Sequence, residues 1–207
     1  MHLEALTEQS KSIFPRLAQF SGEFYLAGGT ALALQIGHRI SVDFDLFSEQ
    51  PIEKTLESQI KRIFSDLPVS TLVNNPDELT VVVGDTKITF LYYPFPLLFD
   101  KVSYEGIRLL SVKEIAATKA YTIGRRGSYK DYIDLYFIFS ERNATLMEVI
   151  ALAEKKYGSE FNGRLFLEQL VFLADIEDTA IELLRGGPLD PPALESFFAS
   201  EIKKLIL

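Results

Sequence analysis

Two aspartates, Asp43 and Asp45, flank Phe44 inside an apolar run that continues into Leu46 and Phe47. On a β-strand, residues i and i+2 share a face, so these carboxylates would point the same way and repel each other. A hard divalent cation such as Mg²⁺, held by one or two carboxylates together with substrate phosphates, relieves that repulsion. A plain solvated strand face would also carry an Asp-x-Asp. The apolar neighbours Val42, Phe44, Leu46 and Phe47 favour a semi-buried strand instead, where uncompensated charge is costly. Upstream, Gly28-Gly29-Thr30 separates an apolar run beginning at Phe24 from a helix-like segment. Such a turn suits a phosphate at a helix N-terminus, with backbone N–H groups and the Thr30 hydroxyl as donors. The simpler reading is a strand-to-helix turn that needs glycine for positive φ.

Between these motifs stand His38, Arg39 and Ser41. His38 reads as a loop or packing residue rather than a base. Arg39 is a candidate contact for a triphosphate or for the aspartates. Ser41 shares the strand face of Asp43 and Asp45 and could donate a supporting hydrogen bond. A second constellation runs from Lys119 through Arg125, Arg126 and Lys130 to Asp131 and Asp134. Each member has an ordinary reading: a snorkelling lysine, a solvated basic turn, helix capping by aspartate, and an i,i+4 pair between Lys130 and Asp134. Together they form a local cation cluster in an acidic chain, suited to a triphosphate or an RNA backbone.

The elements that must position these residues follow from hydrophobic periodicity and turn signals. Leu6 to Phe20 reads as a helix broken near Pro15. A short strand covers Phe24 to Ala27, and a helix starting near Thr30 ends at Gly37. Ser41 to Phe47 alternates as a half-buried strand, and Ile52 to Phe64 has helical spacing. Three strands follow at Val69–Val73, Leu79–Val83 and Lys87–Tyr93, then a short one at Ile107–Leu109. The remainder reads as helices at Val112–Ile123, Lys130–Ser140, Leu146–Tyr157, Arg164–Leu173 and Pro192–Ile206. The expected fold class is α+β: a mixed sheet flanked by helices over residues 1–110, then a helical half over 111–207 packed against it.

Composition narrows the field. The chain has 207 residues, 47% hydrophobic and 24% charged, enough for a sizeable core and ordinary for a globular protein. The absence of cysteine excludes disulfides, thiolate zinc sites and a cysteine nucleophile, and fits a reducing cytoplasm. The start shows no basic region followed by an apolar block, and no apolar run reaches membrane-spanning length. A net charge of −8 disfavours broad, non-specific nucleic-acid binding.

The two segments together resemble the AbiEii family of nucleotidyltransferases, toxins of type IV abortive-infection toxin–antitoxin systems within the DNA-polymerase-β-like superfamily. The resemblance rests on Gly28-Gly29-Thr30, then Arg39-Ile40-Ser41-Val42-Asp43-Phe44-Asp45-Leu46-Phe47, and later Lys119, Arg126-Gly127 and Lys130-Asp131-Tyr132-Ile133-Asp134-Leu135. It implies a nucleotidyltransferase-like sheet and Mg²⁺ held by Asp43 and Asp45. Gly28, Gly29 and Thr30 would cradle phosphates, with Arg39, Ser41, Arg126, Lys130 and Asp134 completing a nucleotide site. Lys119 would neutralise the triphosphate. Asp43, Asp45, Lys119 and Asp131 would be the catalytic set. The implied partners are a nucleoside triphosphate, an RNA (tRNA-like) or protein hydroxyl as acceptor, and a cognate antitoxin, all in the cytoplasm and without a membrane.

One departure stands out. The superfamily carries a third acidic residue on a neighbouring strand, expected within Lys87-Ile88-Thr89-Phe90-Leu91-Tyr92-Tyr93, and no carboxylate is there. Thr89 takes the equivalent place, and Asp85 and Asp100 lie outside the run. That leaves a second reading: a degenerate nucleotide- or partner-binding module with the same fold. A metal-dependent phosphohydrolase or sugar transferase would use the Asp-x-Asp but would leave the Lys119–Asp134 segment unexplained.

Overall fold

The computed structural model describes residues 1–174, Ile176 and 180–205, with the side chain of Arg126 outside the described set. The chain divides into two compact units, Met1–Phe95 with Asp100–Leu110, and Pro96–Phe99 with Ser111–Leu207.

The first unit begins with a 3₁₀ turn at Leu3–Ala5 and helix α1, Glu8–Ile13, capped where the Thr7 hydroxyl accepts from the Ser10 N–H. Pro15 lacks the N–H that would continue α1, and the chain tightens into a 3₁₀ stretch over Phe14–Phe20. Strand β1 is Tyr25–Ala27 and helix α2 is Gly28–Ile36, which ends at Gly37 in the left-handed region. Strand β2 is Phe44–Ser48, and helix α3 is Leu56–Ile63. Strands β3 (Val69–Asn74), β4 (Glu78–Val83), β5 (Thr86–Tyr92), β6 (Val102–Tyr104) and β7 (Ile107–Leu109) complete the unit.

Among the described residues these strands form one sheet in the order β3-β4-β5-β2-β1-β7-β6. The β2–β5 and β1–β7 pairs are parallel and the others antiparallel. One face is continuous core: Leu26, Phe44, Leu46, Leu79, Val81, Ile88, Phe90 and Leu109 are all buried. Against it lie Phe20 and Phe24, whose rings both meet Phe90 edge-on with centroids 5.0 Å away. Burying side chains of this size contributes roughly 1.5–3 kcal/mol each, so the register of β2 and β5 is tightly specified. A one-residue slip would put Phe44, Leu46, Ile88 and Phe90 into solvent.

Two starts in this unit shift by three or more residues from the sequence expectation, and one strand is new. β2 starts at Phe44 rather than Ser41, because Ser41 makes only an isolated bridge with Leu6 and its N–H is taken by the Ala5 carbonyl at 2.8 Å. α3 starts at Leu56 rather than Ile52, whose N–H is held by the Pro76 carbonyl at 2.8 Å. The short edge strand β6 was not expected; among the described residues it pairs with β7 alone.

The second unit is helical. Its helices are α4 (Val112–Arg126), α5 (Tyr129–Ser140), α6 (Leu146–Tyr157), α7 (Gly163–Leu170) and α8 (Pro191–Lys203), with a 3₁₀ turn at Gly158–Glu160. Each start is written in the sequence. Ser111, Asn162 and Asp190 accept from first-turn N–H groups, while Ser128 with Asp131 and Thr145 with Glu148 form capping boxes. α4 runs three residues past Ile123, and α7 stops at Leu170 rather than Leu173. The last helix stops at Lys203; Ile206, its expected end, lies outside the described residues. Glu114 and Lys156 form a buried ion pair, and the second Glu114 oxygen accepts from the N–H groups of Leu98 and Phe99 at 2.9 and 3.1 Å. That carboxylate is therefore what fastens Pro96–Phe99 to the helical unit. No helix among the described residues is long and apolar enough to cross a membrane.

Candidate active site

Asp45 lies in the middle of β2 and is paired in register with Ala27 on β1 and Thr89 on β5. Its neighbours in the strand, Phe44 and Leu46, are buried in the core, so pleat alternation turns Asp45 to the opposite face. There it meets the opening of α2. Gly28 has φ +63°, and a Cβ at this position would collide with Asp45 Oδ2. The glycine is thus required twice, for its left-handed backbone and for the space the carboxylate fills. The positive end of the α2 dipole favours an anion at this spot.

Asp43 precedes β2 and faces the same side, as its partner shows. Lys87 of β5, two residues before Thr89, places Nζ 3.2 Å from Asp43 Oδ2. The Asp43 side chain is 35% exposed and that of Lys87 45%, so the pair is weakly held and open to exchange. The backbone of Asp43 is fixed from below. The Thr30 hydroxyl donates to its carbonyl oxygen and lies 2.7 Å from Ser41 Oγ. Arg39 donates to the Ile40 carbonyl at 3.1 Å and reaches Ser41 Oγ at 3.5 Å.

These contacts change the roles expected of three residues. Thr30 is 2% exposed, Arg39 3% and Ser41 7%. They support the segment that carries Asp43 and do not present a surface for a triphosphate; the apolar run around them buries them. His38 is fully buried, in line with a packing role. Gly28 and Gly29 are half-exposed.

In the helical unit, Lys119 is not a snorkelling surface lysine. It is 6% exposed and lies between two carboxylates, 2.8 Å from Asp131 Oδ1 and 2.6 Å from Asp134 Oδ2. Its neighbours on α4, Ala116, Ala117, Ala120 and Ile123, are buried, so α4 turns its small-residue face inward with the lysine in it. Asp134 is completely buried. The expected Lys130–Asp134 pair is replaced by Lys119–Asp134. Asp131 serves twice: its second oxygen accepts from the Ser128 N–H at 3.1 Å and the Ser128 hydroxyl at 2.8 Å, closing the α5 capping box. Lys130 is exposed, and the side chain of Arg126 lies outside the described residues. Arg125 stacks on Tyr121 at 4.3 Å and pairs with Glu160 at 3.3 Å.

The sequence model described as the nucleotidyl transferase AbiEii toxin of type IV toxin–antitoxin systems matches residues 14–95 and 78–200. The chain belongs to the AbiEii family. An uncharacterized protein from Aquifex aeolicus (strain VF5) is 33% identical over 191 residues, covering 89% of this chain and 88% of its own length. Among solved structures, the chain is similar to MenT4, a nucleotidyltransferase toxin from Mycobacterium tuberculosis H37Rv, with a TM-score of 0.62 and 16% identity over 92% of this chain and 79% of that one. It is also similar to JHP933 from Helicobacter pylori, with a TM-score of 0.54 and 17% identity over 97% and 95% of the two chains. At such identities the likeness is one of fold, a nucleotidyltransferase-like mixed sheet with flanking helices.

Seen as an AbiEii site, the donor set is spare. Among the described residues no three His, Asp or Glu side chains gather closely enough to cage a metal ion. Mg²⁺ does not need such a cage, since it takes one or two carboxylates and fills the rest of its octahedron with water and substrate phosphates. Two carboxylates on one face, one of them against a glycine whose missing Cβ leaves it room, fit that requirement. The position beside Asp45 on β5 is Thr89, with no carboxylate. Sequence reading missed Lys87, the cation nearest Asp43. Its signal was present: Lys87 and Thr89 alternate with buried Ile88 and Phe90 and so share the outer face.

Proposed function

We propose that this AbiEii protein is a Mg²⁺-dependent nucleotidyltransferase that transfers a nucleoside monophosphate from a nucleoside triphosphate to a hydroxyl of an RNA end, tRNA-like, or of a protein. Its role would be that of the toxin of a type IV pair, acting in the cytoplasm and restrained by a cognate antitoxin. The observation that carries this reading is the Asp45 carboxylate lodged at the Gly28 turn with Asp43 on the same sheet face.

In this reading the sheet half, residues 1–110, carries the chemistry. Asp43 and Asp45 would hold Mg²⁺, which when bound neutralises the phosphates and stabilises charge on the attacking and leaving oxygens. Lys87, paired with Asp43 in a half-exposed contact, would be the side chain positioned to pair with a phosphate oxygen when Asp43 holds the cation. The Gly28–Gly29 opening of α2 offers its dipole to the phosphates beside Asp45. Thr30, Ser41 and Arg39 keep Asp43 in place, so that positioning, the main protein contribution in phosphoryl transfer, is built into the backbone. From the helical half, residues 111–207, Lys119 with Asp131 would serve the same transfer, with Asp134 fixing the direction of the lysine. Lys130 and Arg126 are the basic residues offered to the acceptor or the triphosphate.

The test is incubation of the protein with each of the four α-labelled nucleoside triphosphates, Mg²⁺, bulk cellular RNA and cellular protein. Label should appear in one macromolecular fraction with release of pyrophosphate, and Asp43→Ala and Asp45→Ala should each abolish it. Label transfer undiminished in both variants sinks the assignment. Thr89 beside Asp45 supports a second reading, a binding module without turnover; calorimetric binding of Mg²⁺–nucleotide with no transfer to any acceptor would favour it.

A further inference from the structure

Lys87 stands on an inner strand of the sheet, β5, between β4 and β2. Its backbone pairs in register with Val82 of β4, and the next outward-facing residue, Thr89, lies opposite Asp45. The backbone is therefore held, while the side chain stays 45% exposed. A lysine stem is flexible and ends in a compact point charge. Here that charge lies 3.2 Å from Asp43 Oδ2. Mg²⁺ binds oxygen at roughly 2.0–2.1 Å, so a divalent cation and an ammonium on one carboxylate lie within a few ångströms of each other. Like charges repel strongly at that range. The two are rivals for Asp43. The pair is half-exposed and weakly held, which lets the ammonium swing aside. A triphosphate arriving with the metal gives it somewhere to go, because phosphate oxygens accept charge-assisted hydrogen bonds.

We propose that Lys87 couples the metal to the nucleotide: it opposes a divalent cation that comes alone and favours one that comes with a triphosphate. The inference rests on the nucleotidyltransferase reading above, and it concerns binding, so its test needs no turnover. With the free ion, the ammonium loses Asp43 and is left beside a second cation. With the metal–triphosphate, it exchanges the carboxylate for a phosphate oxygen. The linkage is reciprocal, so each ligand raises the affinity of the other by the same factor. Lys87 is thus a specificity-determining residue that separates the metal–triphosphate from the bare ion. Lysine suits this exchange better than arginine, whose planar fork would grip the Asp43 carboxylate with two hydrogen bonds.

The experiment is calorimetry of each variant with Mn²⁺ alone, and with the α,β-methylene analogues of the four nucleoside triphosphates at saturating Mn²⁺, alongside thermal melting. Lys87→Met should bind Mn²⁺ alone about three- to fivefold more tightly than wild type, the worth of a half-exposed pair. It should bind the analogue that wild type prefers about tenfold more weakly, for the loss of one charge-assisted hydrogen bond. Its melting temperature should match wild type, so that neither change comes from unfolding. Lys87→Arg should bind Mn²⁺ alone no more tightly than wild type. Lys54→Met, which removes an exposed lysine of the same unit, should shift neither affinity, which separates the contact from a general change of charge. Lys87→Met binding Mn²⁺ alone no better than wild type, or the analogue no worse, overturns the coupling. Equal shifts in Lys54→Met overturn it too, since net charge would then account for both. Wild-type binding of Mn²⁺ in both Asp43→Ala and Asp45→Ala overturns the underlying reading instead.

Discussion

Replacing Gly28 by alanine tests the geometry of the site at its tightest point. The backbone there has φ +63°, and the added Cβ would meet Asp45 Oδ2 and lie 3.2 Å from its carboxyl carbon. A side chain in the left-handed region costs roughly 1–2 kcal/mol. Driving Asp45 off its rotamer adds about 0.5–1.5 kcal/mol. The sum, about 1.5–3.5 kcal/mol, corresponds to a fall in Tm of roughly 3–14 °C for a chain of this length. Gly22→Ala is the control, since a Cβ there meets nothing within 4 Å and its φ is not in the left-handed region; it should melt with wild type. The second readout is calorimetric binding of Mn²⁺ with a non-hydrolysable triphosphate, which Gly28→Ala should weaken because Asp45 no longer lies where a cation would meet it. If Gly28→Ala melts and binds as wild type does, the contact between the turn and Asp45 is not what places the carboxylate.

Further outcomes follow from the charges. Lys119→Met leaves Asp131 and the fully buried Asp134 without their cation and should cost about 3–5 kcal/mol in urea unfolding; Lys113→Met, whose Glu148 partner is half-exposed, should cost less than about 1 kcal/mol. The hydrogen bond from the Arg16 guanidinium holds the Asp66 carboxyl down at about 2 from its ordinary 3.8. A depressed folded value means the stabilisation is present above 3.8 and lost as pH falls toward 2, so Asp66→Asn should flatten that part of the acid-unfolding curve. Burial first, and the Asp131 charge second, push the Tyr132 phenol up to about 12 from 10.0. Ultraviolet titration should find one tyrosine that does not ionise before about pH 12, with stability declining between 10 and 12 as the unfolded chain ionises first; ionisation of every tyrosine near 10 in the folded protein would contradict it.

Much of the fold was readable because its causes are local. The alternation of Asp43, Phe44, Asp45 and Leu46 specifies which side chains leave the core whatever strand lies alongside. Gly28 and Gly37 announce the ends of α2 because few other residues tolerate their backbone. Ser128 with Asp131 and Thr145 with Glu148 start α5 and α6 within four residues of sequence. β6 escaped notice because none of its three residues is buried, whereas the equally short β7 carries the buried pair Ile107 and Leu109.

The site is a different matter. The amino-acid order by itself determined that two carboxylates share a strand face behind a glycine turn, and that a lysine helix precedes an Asp-x-x-Asp helix. Tertiary structure alone decided which cation stands beside Asp43, since Lys87 arrives through the parallel pairing of β2 with β5. It alone buried Arg39 and sank Lys119 between Asp131 and Asp134. The physical reason is that periodicity tells a side chain which face it occupies, whereas its partner depends on the register between strands and the packing between helices. Those are set by apolar burial summed over the whole core.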